Sequence, residues 1–332
     1  MLTRGPRTMR QALRDLEGPG HPALWLGAHV PSLCPESKQK AIRKAAAWKP
    51  DDSYRDAYHR WQAALNALPS STEELEVVSA VIVGLGGASP LETSVTLLHP
   101  YGAPVIPGSA LKGLAASYAR LELALDGAAR AVLFGGIQEA GYITFPDAWW
   151  IPDRASTPLA PDVMTPHHSA YYGSIGECAP TDFDDPIPVP FVHARGRFLV
   201  GVICEDAEWR QFALDLLRQA LADWGVGAKT AAGYGRLRRS QQAVDQEALQ
   251  KQAAEHLLAR IGSADPRSEG RNLFEEVMRP ENESIRAQCL RALYPRLKKA
   301  DMLRDKWIKE KEHARSWVRD FLDRCRECGI PA

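Results

Sequence analysis

The sequence predicts an α+β fold, in which one mixed domain is flanked by two helical regions. Residues 1–72 and 241–332 have apolar residues at helical spacing, whereas 73–240 carries both the helical period and the strand period of two. The chain has 332 residues and 45% hydrophobic content, which suits an ordinary globular protein with ample core. We therefore divide it into a helical N-terminal region, a central domain and a helical C-terminal extension.

In the N-terminal region the helical pattern follows the apolar residues. They lie at Ile42 and Ala46, and then at Tyr54, Tyr58, Trp61, Leu65 and Leu68. Pro69 closes this stretch.

The central domain has a particular order of predicted elements. They are a strand over 76–84, a helix opening at Pro107, a strand over 142–150, strands over 191–193 and 197–205, a helix over 207–224 and a short strand over 234–239. This order is β-α-β-insertion-β-α-β, the split βαβ order of ferredoxin-like folds, which RNA-recognition motifs share. The insertion, 151–190, is rich in Pro, Asp and His, and an insertion of that length is functional or disordered.

In the C-terminal extension apolar residues again recur at helical spacing. They lie at Leu257, Leu258 and Ile261, at Leu273, Phe274 and Val277, at Leu290, Leu293 and Leu297, and at Trp307, Trp317, Val318, Phe321 and Leu322.

Charge and composition exclude several classes of protein. Lys plus Arg equals Asp plus Glu, 41 each, which argues against a surface that is basic throughout but allows a small basic footprint. No segment has the roughly 20 uninterrupted apolar residues of a membrane helix. The charged N-terminus lacks the apolar core of a signal peptide, and six scattered cysteines suit reduced thiols, so we expect a cytoplasmic protein.

The glycine-rich segment 225–236, GVGAKTAAGYGR, has the clearest chemical signal. Its four glycines allow positive φ angles and close approach of a ligand to backbone N–H groups. Such turns bind anions, and Lys229 and Arg236 add positive charge, so phosphate is the expected ligand. The spacing is not that of a nucleotide-binding P-loop, because Ala228 and Asp223 stand where that motif needs glycine. The structural alternative is a plain connection between a helix and a strand.

A second motif, IPGSALKG, opens the helix at Pro107. Pro107 and Ser109 suit the first turn and the cap of a helix, whose free N–H groups favour phosphate. Lys112 is placed where a cation opposes the helix dipole unless an anion is near. A solvated lysine at a helix start is the alternative.

Several motifs in order resemble one family. IPGSALKG, YITFPDAWW, DVMTPHHSAYY, DPIPVPF and GVGAKTAAGYGR together are similar to the RAMP superfamily of CRISPR-associated proteins, and within it to the sixth subunits of type III-B (Cmr) effector complexes. The resemblance covers residues 76–240, about half of the chain, and does not extend to 1–72 or 241–332.

The resemblance implies a non-catalytic RNA-binding subunit with no cofactor, placed near the 3′ end of the guide (CRISPR) RNA in antiviral defence. It also implies that target RNA, other RAMP subunits and a small helical subunit are the partners. The insertion 151–190 would be the thumb-like hairpin that such subunits lay across a guide–target duplex. The family's glycine loop and basic helix start correspond here to 225–235 and 109–112.

From these motifs we predict a set of RNA-binding residues. They are Ser109, Lys112, His167, His168, Tyr171, Tyr172, Gly225, Gly227, Lys229, Thr230, Gly233, Tyr234, Gly235 and Arg236.

Two rival functions stay open at this point. One is an RNA endonuclease that uses His167, His168 or the insertion's acids, since a carboxylate beside phosphate acts as a base or binds Mg²⁺. Those acids are Asp162, Asp182, Asp184 and Asp185. The other is a scaffold whose helical flanks bind proteins without RNA contact. Cys325 and Cys328 form a lone CxxC pair with only His313 nearby, so we expect no metal site.

Overall fold

The computed structural model describes residues 20–27, 34–153, 156–173, 177–279, 283–303 and 316–331. The chain forms two compact units, 1–240 and 241–332, and each is described separately. No helix among these residues is long and apolar enough to cross a membrane. Trp307, His313 and the beginning of the N-terminal region lie outside the described residues.

The first unit combines helices with antiparallel sheets. Its strands are β1 (Ser70–Val77), β2 (Val105–Ile106), β3 (Ala148–Trp150), β4 (Leu159–Met164), β5 (Val189–Ala194), β6 (Arg197–Ile203) and β7 (Leu237–Arg238). Its helices are α1 (Pro22–Gly27), α2 (Pro35–Ala46), α3 (Asp52–Asn66), α4 (Gly108–Leu121), α5 (Gly127–Phe134), α6 (Ser169–Gly173) and α7 (Ala207–Asp223). Asp51, Asp126 and Asp206 cap α3, α5 and α7 by accepting backbone N–H groups of the first turn.

The main sheet has five strands in the order β2-β3-β6-β1-β7, and each adjacent pair is antiparallel. β6 is central, and β1 lies between β6 and β7 and pairs with β6 from Ser70 to Glu76. The prediction of a strand over 76–84 was therefore wrong in position. The strand lies in the polar sequence SSTEELEV, of which only Leu75 and Val77 are buried. Residues 78–83 are mostly apolar, and backbone hydrogen bonds outside a regular ladder join them to the glycine-rich segment and to β5.

Part of the insertion 151–190 forms a second sheet, although the sequence predicted no strand within it. β4 and β5 pair in register from Leu159–Ala194 to Met164–Val189, so the described residues between them, 165–173 and 177–188, lie beyond the paired strands. Sequence patterns missed β4 because it contains Pro161 and Asp162, residues that are rare in strands. β5 was predicted as a strand, but it belongs to this hairpin, which touches residues 78–83 through an antiparallel bridge from Val81 to Ala194.

Helices cover both faces of the main sheet. On one face α4 and α7 pack on β1 and β6, and the core includes Leu111, Leu217 and Phe198. On the other face α3 lies over β3 and β6: the Trp61 ring stacks on Trp149 at 5.0 Å and 5°. Tyr58 packs there with Ile151 and Leu199. The N-terminal helices are thus part of the same core as the sheet, with Trp25, Ile42 and Tyr54 buried in it.

The second unit is a helical bundle with its own core. Its described helices are α8 (Gln241–Ser263), α9 (Pro266–Val277), α10 (Glu283–Lys299) and α11 (Trp317–Glu327). The apolar positions expected from the sequence form most of the core, including Ile261, Leu273, Leu293 and Phe321. This confirms the helical pattern of residues 241–332 where the structure describes them.

Candidate nucleic-acid interface

The glycine-rich segment 225–236 forms one loop at the end of the main sheet. It begins after α7 and ends at β7, where Leu237 pairs with Val77, the last residue of β1. All four glycines have positive φ, between 79° and 90°, as the sequence predicted. Lys229 also lies in the left-handed region, at φ 61°, and begins a single 3-10 turn.

Three of the glycines are required by contacts within the protein. A Cβ atom on Gly227 would lie 2.2 Å from the carbonyl oxygen of Ile82, and one on Gly235 would lie 2.2 Å from that of Val226. A Cβ atom on Gly225 would be 2.8 Å from the carbonyl carbon of Gly235. Only Gly233 faces open space. At Gly225, Gly227 and Gly235, therefore, the atoms that come close to the glycine belong to the protein's own backbone and not to the predicted ligand.

Backbone hydrogen bonds hold the loop near both of its ends. Ala228 N–H donates to Ile82 O at 2.7 Å, and Gly235 N–H donates to Ala80 O at 2.6 Å. Between them, the N–H groups of Lys229, Thr230 and Ala231 donate to no acceptor among the described residues. Consecutive N–H groups of this kind next to a left-handed residue make a concave site for an anion.

The side chain of Lys229 lies against two aromatic rings. Its Nζ is 5.7 Å from the centre of the Phe191 ring and 5.9 Å from that of Tyr234. No carboxylate of the described part of the chain forms an ion pair with it. Aromatic faces hold the ammonium group without neutralising it, so its charge stays available to an anion.

A hydrogen bond joins the loop to the insertion. Tyr234 OH donates to Asp162 Oδ2 at 2.6 Å, and the bond and the negative charge of that carboxylate, with some burial, raise the pKa of Tyr234 to about 12. The other oxygen of Asp162 accepts from Val163 N–H at 2.7 Å. Asp162 thus connects β4 to the loop.

Arg236 closes the loop through its backbone. Its carbonyl oxygen accepts from Val78 N–H at 2.9 Å. Its Nε atom is buried and has no hydrogen-bond partner among the described residues. The guanidinium group therefore keeps unused hydrogen-bonding capacity at the end of the loop.

The predicted second motif forms the start of α4, but its details differ. Gly108 N–H donates to Asp147 Oδ1 at 2.7 Å, and a Cβ atom on Gly108 would lie 1.9 Å from Phe145 O. Pro107 occupies the cap position, so the expectation that Ser109 caps the helix was wrong. Lys112 is the fifth residue of the helix, beyond the first turn where the dipole acts most strongly. Ser109 and Lys112 are both exposed.

The two motifs lie at opposite ends of α4. The helix begins beside Phe145 and ends beside the loop, where Tyr118 OH donates to Asp223 at 2.7 Å and Trp224 Nε1 donates to Glu122 at 3.2 Å. Ser109 and Glu122 are 13 positions apart along the helix, which corresponds to about 20 Å. The structure does not bring these motifs together around one phosphate.

The insertion carries the remaining predicted residues. His168 Nδ1 lies 2.8 Å from Asp184 Oδ2, and this bond, followed by bonds from Thr181, holds the pKa of the Asp184 carboxyl below its ordinary value. The rings of Tyr171 and Tyr172 meet edge to face at 5.4 Å, and Tyr172 is 71% exposed. His167, Asp182 and Asp185 are exposed.

Sequence reasoning missed the role of Phe191 beside Lys229. Phe191 was identified only as part of a strand, and no local signal links it to a residue 38 positions away.

At the C-terminal CxxC pair, Cys325 is fully buried, which, with the nearby Cys328, raises the pKa of its thiol to about 11. Within the described residues, no three His, Cys, Asp or Glu side chains converge to hold a metal.

Comparison with known proteins gives consistent matches. The family model "RAMP superfamily" matches residues 74–238. The chain is 32% identical to "CRISPR system Cmr subunit Cmr6" of Pyrococcus furiosus, with 62% of this chain and 77% of that protein covered.

Solved structures give a fold match and a sequence match. A chain of the cryo-EM structure of "the Type III-B Cmr-beta bound to cognate target RNA" aligns with a TM-score of 0.52 at 20% identity, over 61% of this chain and 71% of that one. The crystal structure of Cmr6 from Pyrococcus furiosus aligns at 31% identity over 53% of this chain and 99% of that one, with a TM-score of 0.36.

Proposed function

The chain belongs to the RAMP superfamily and, within it, to the Cmr6 subunits of type III-B CRISPR effector complexes, and from this we propose that it is a non-catalytic RNA-binding subunit. In this proposal the loop 225–236 holds the sugar-phosphate backbone of the guide RNA near its 3′ end. The subunit contributes in this way to binding target RNA in antiviral defence, in the cytoplasm.

One observation carries the proposal: within the described residues, the loop holds three consecutive backbone N–H groups without an acceptor, and the ammonium of Lys229 in the same loop has no ion pair. Phosphate accepts hydrogen bonds from such donors and is attracted by such a charge. Arg236, at the end of the same loop, adds a second positive charge that attracts phosphate. A small basic site on a chain of net charge zero suits a subunit that grips RNA at one point within an assembly.

The arrangement of the sheet favours contact with the backbone over contact with bases. The strands β7-β1-β6-β3 correspond to the 4-1-3-2 order of a ferredoxin-like domain, with β2 added at one edge. RNA-recognition motifs stack bases on the open face of such a sheet. Here α3 covers much of that face through Trp61, Trp149 and Tyr58, so the loop at the sheet's end is the more accessible site.

We assign the β4–β5 hairpin and residues 165–188 to the thumb-like element. Its base is tied to the loop by the bond from Tyr234 to Asp162. Tyr172 and His167 are exposed beyond the paired strands and are suited to stack on nucleotides. A hairpin anchored at the RNA-binding loop is positioned to reach the guide–target duplex. In the assembled complex, the other partners are sibling RAMP subunits and a small helical subunit.

The aspartates of the insertion support a binding role. Asp162 is engaged by Tyr234, and Asp184 by His168 and Thr181, so both act as structural acceptors. The contact between His168 and Asp184 also favours a second candidate function, RNA cleavage, because a carboxylate that orients an imidazole is a common arrangement for a general base. The binding role is preferred because both carboxylate oxygens of Asp184 already accept hydrogen bonds from Thr181, which suits a structural role.

RNA binding by the assembled complex tests the proposal. We expect Lys229→Ala and Arg236→Ala each to weaken guide RNA retention and to lower the slope of log K against log salt by about 0.7, the value for one lost phosphate contact on single-stranded RNA. Lys49→Ala removes an exposed lysine between α2 and α3 and is the matched control. Unchanged affinity and slope in both loop variants would sink the proposal.

Cleavage is tested separately with labelled RNA. We expect purified chain, alone and in complex, to leave the RNA intact in the presence of Mg²⁺. Cleavage that disappears in His168→Ala or Asp184→Asn, while Asp185→Asn retains it, would establish the endonuclease instead.

A further inference from the structure

An exposed apolar surface lies away from the loop and the hairpin. It consists of Val132 on α5, Ile137, Tyr142, and Trp209 and Phe212 on α7, and we call it the α5–α7 patch. The exposed fractions of these side chains are 49%, 106%, 58%, 39% and 42%, respectively. Apolar groups of this size lower their free energy when they leave water, so a cluster of them marks a contact surface.

The patch is continuous along two segments of the chain. Tyr142 N–H donates to Val132 O at 2.8 Å, and the Tyr142 ring meets that of Trp209 edge to face at 5.8 Å. Phe212 lies one helical turn after Trp209. The patch is therefore a shared surface of α5, α7 and the segment between α5 and β3.

Ile137 projects from the tip of a tight loop beside this surface. Gly135 and Ala140 form an antiparallel bridge, and Gly136 N–H donates to Glu139 O at 2.9 Å, so the loop has a defined shape. A fully exposed isoleucine on a shaped loop contributes nothing to the core of its own fold. It has the form of an anchor that enters a pocket of a partner.

The rim of the patch is acidic. Glu139, Glu205 and Glu208 are exposed, and none of them pairs with a cation among the described residues. The antiparallel bridge from Thr144 to Ile203 brings Tyr142 alongside Glu205, and Glu208 precedes Trp209. Negative charge of this density repels RNA phosphates and anionic lipid surfaces. The same charge attracts a protein surface that is rimmed by lysine or arginine.

We propose that the α5–α7 patch docks a neighbouring protein subunit whose surface has an apolar centre and a basic rim. The inference rests on the proposed function, because it takes the neighbour to be another subunit of the type III-B complex. It separates the chain into an RNA-binding end, at the loop, and a protein-binding surface around the start of α7.

Assembly of the complex from the full chain, the other subunits and guide RNA tests this proposal by native mass spectrometry. We expect Ile137→Glu and Phe212→Glu each to lower the fraction of chain incorporated at least tenfold. Neither change disturbs the core, since Ile137 is fully exposed and Phe212 lies at its edge. Glu205→Lys with Glu208→Lys is expected to lower incorporation several-fold by reversing the rim. Leu68→Glu, at an equally exposed apolar side chain outside the patch, is the matched control.

A photo-crosslinking amino acid at position 212 identifies the occupant. A product with another protein subunit supports the proposal, whereas a product with RNA, with residues 241–332 of the same chain or with a second copy overturns it. Wild-type incorporation of both Ile137→Glu and Phe212→Glu also overturns it. If the patch variants incorporate normally while Lys229→Ala still weakens RNA binding, the docking proposal fails and the RNA-binding proposal stands. If the patch variants are defective while Lys229→Ala leaves RNA affinity and its salt dependence unchanged, the RNA-binding proposal fails and the docking proposal stands.

Discussion

The loop 225–236 and the start of α4 have similar composition, since both combine glycine, a small polar residue and lysine. Their environments differ. At the helix start, Asp147 already accepts the Gly108 N–H, and the glycine is needed because Phe145 O lies against it. In the loop, three consecutive N–H groups have no acceptor in the described structure, and Lys229 has no carboxylate beside it.

A glycine in such a motif therefore indicates that another atom comes close to the backbone, but it does not identify that atom as part of a ligand or of the protein. At Gly108, Gly227 and Gly235 the neighbour is the protein itself. The capacity for a ligand lies instead in donors and charges that the fold leaves unused. The following predictions test that contrast, beginning with the largest effect.

Replacing Gly108 by alanine is expected to have the largest effect. A Cβ atom would meet fixed backbone at Phe145 O, so we expect a loss of about 3 kcal/mol in the free energy of unfolding. Gly113→Ala is the matched control within α4, because nothing lies within 4 Å of its Cβ position, and alanine should stabilise the helix by about 0.5 kcal/mol. Urea unfolding measures both. Equal stability of the two variants would remove the claim that the helix-start glycine serves packing.

Within the loop, Gly227→Ala and Gly233→Ala separate crowding from backbone conformation. Both glycines have φ near 90°, but only Gly227 abuts a carbonyl oxygen. We expect a loss of about 2 to 3 kcal/mol at Gly227 and about 1 kcal/mol at Gly233, where only the conformational penalty applies. Thermal unfolding of the two variants gives the comparison, and a larger loss at Gly233 contradicts it.

The bond from Tyr234 to Asp162 tests whether the loop is held to the hairpin. Tyr234→Phe is expected to lower the free energy of unfolding by about 1 kcal/mol at neutral pH. The pKa of Tyr234 is raised to about 12, so this contribution is fully present below pH 10 and is lost as the pH rises through 12. Absorbance titration at 295 nm should show one tyrosine fewer near pH 12 in the variant. A missing tyrosine near pH 10 would show that the bond does not form.

Lys112→Ala is expected to have the smallest effect on stability, under about 0.5 kcal/mol, because Lys112 is exposed and lies beyond the first turn.

If the helix start and the loop both contact RNA, they do so at separate phosphates. The binding free energies lost in Lys112→Ala and Lys229→Ala should then add within about 0.5 kcal/mol in the double variant. Strong coupling between them in RNA titrations would show that they share one phosphate.

The helices could be predicted from the sequence because their information is local. α4 and α7 have regular apolar spacing, and the positive φ angles of the loop follow from its glycines. Phe212 follows the apolar spacing of α7 but is 42% exposed, because spacing alone does not show where a helix leaves the sheet.

The strands and the site depended on distant residues. β1 has a polar sequence, but backbone pairing with β6 and β7 holds it in the sheet, and ion pairs such as Glu74–Arg197 partner its carboxylates. β4 was hidden by Pro161 and Asp162, and Asp162 is the residue that reaches Tyr234, 72 positions away. Contacts across that many residues leave no mark in a local pattern. The sequence therefore gives no sign that carboxylates in the insertion have partners, although Asp162 is bonded to Tyr234 and Asp184 to His168.

The position of α3 against the sheet has a consequence for how the chain is made. Tyr58 and Trp61 emerge from the ribosome early, but the residues that cover them do not: Trp149 and Leu199 follow about 90 and 140 residues later. At typical rates of synthesis this interval is roughly 5 to 30 seconds. During it, the aromatic face of the nascent helix stays in water. Truncation before β6 is therefore expected to leave part of this aromatic face of α3 uncovered and to lower the solubility of the product.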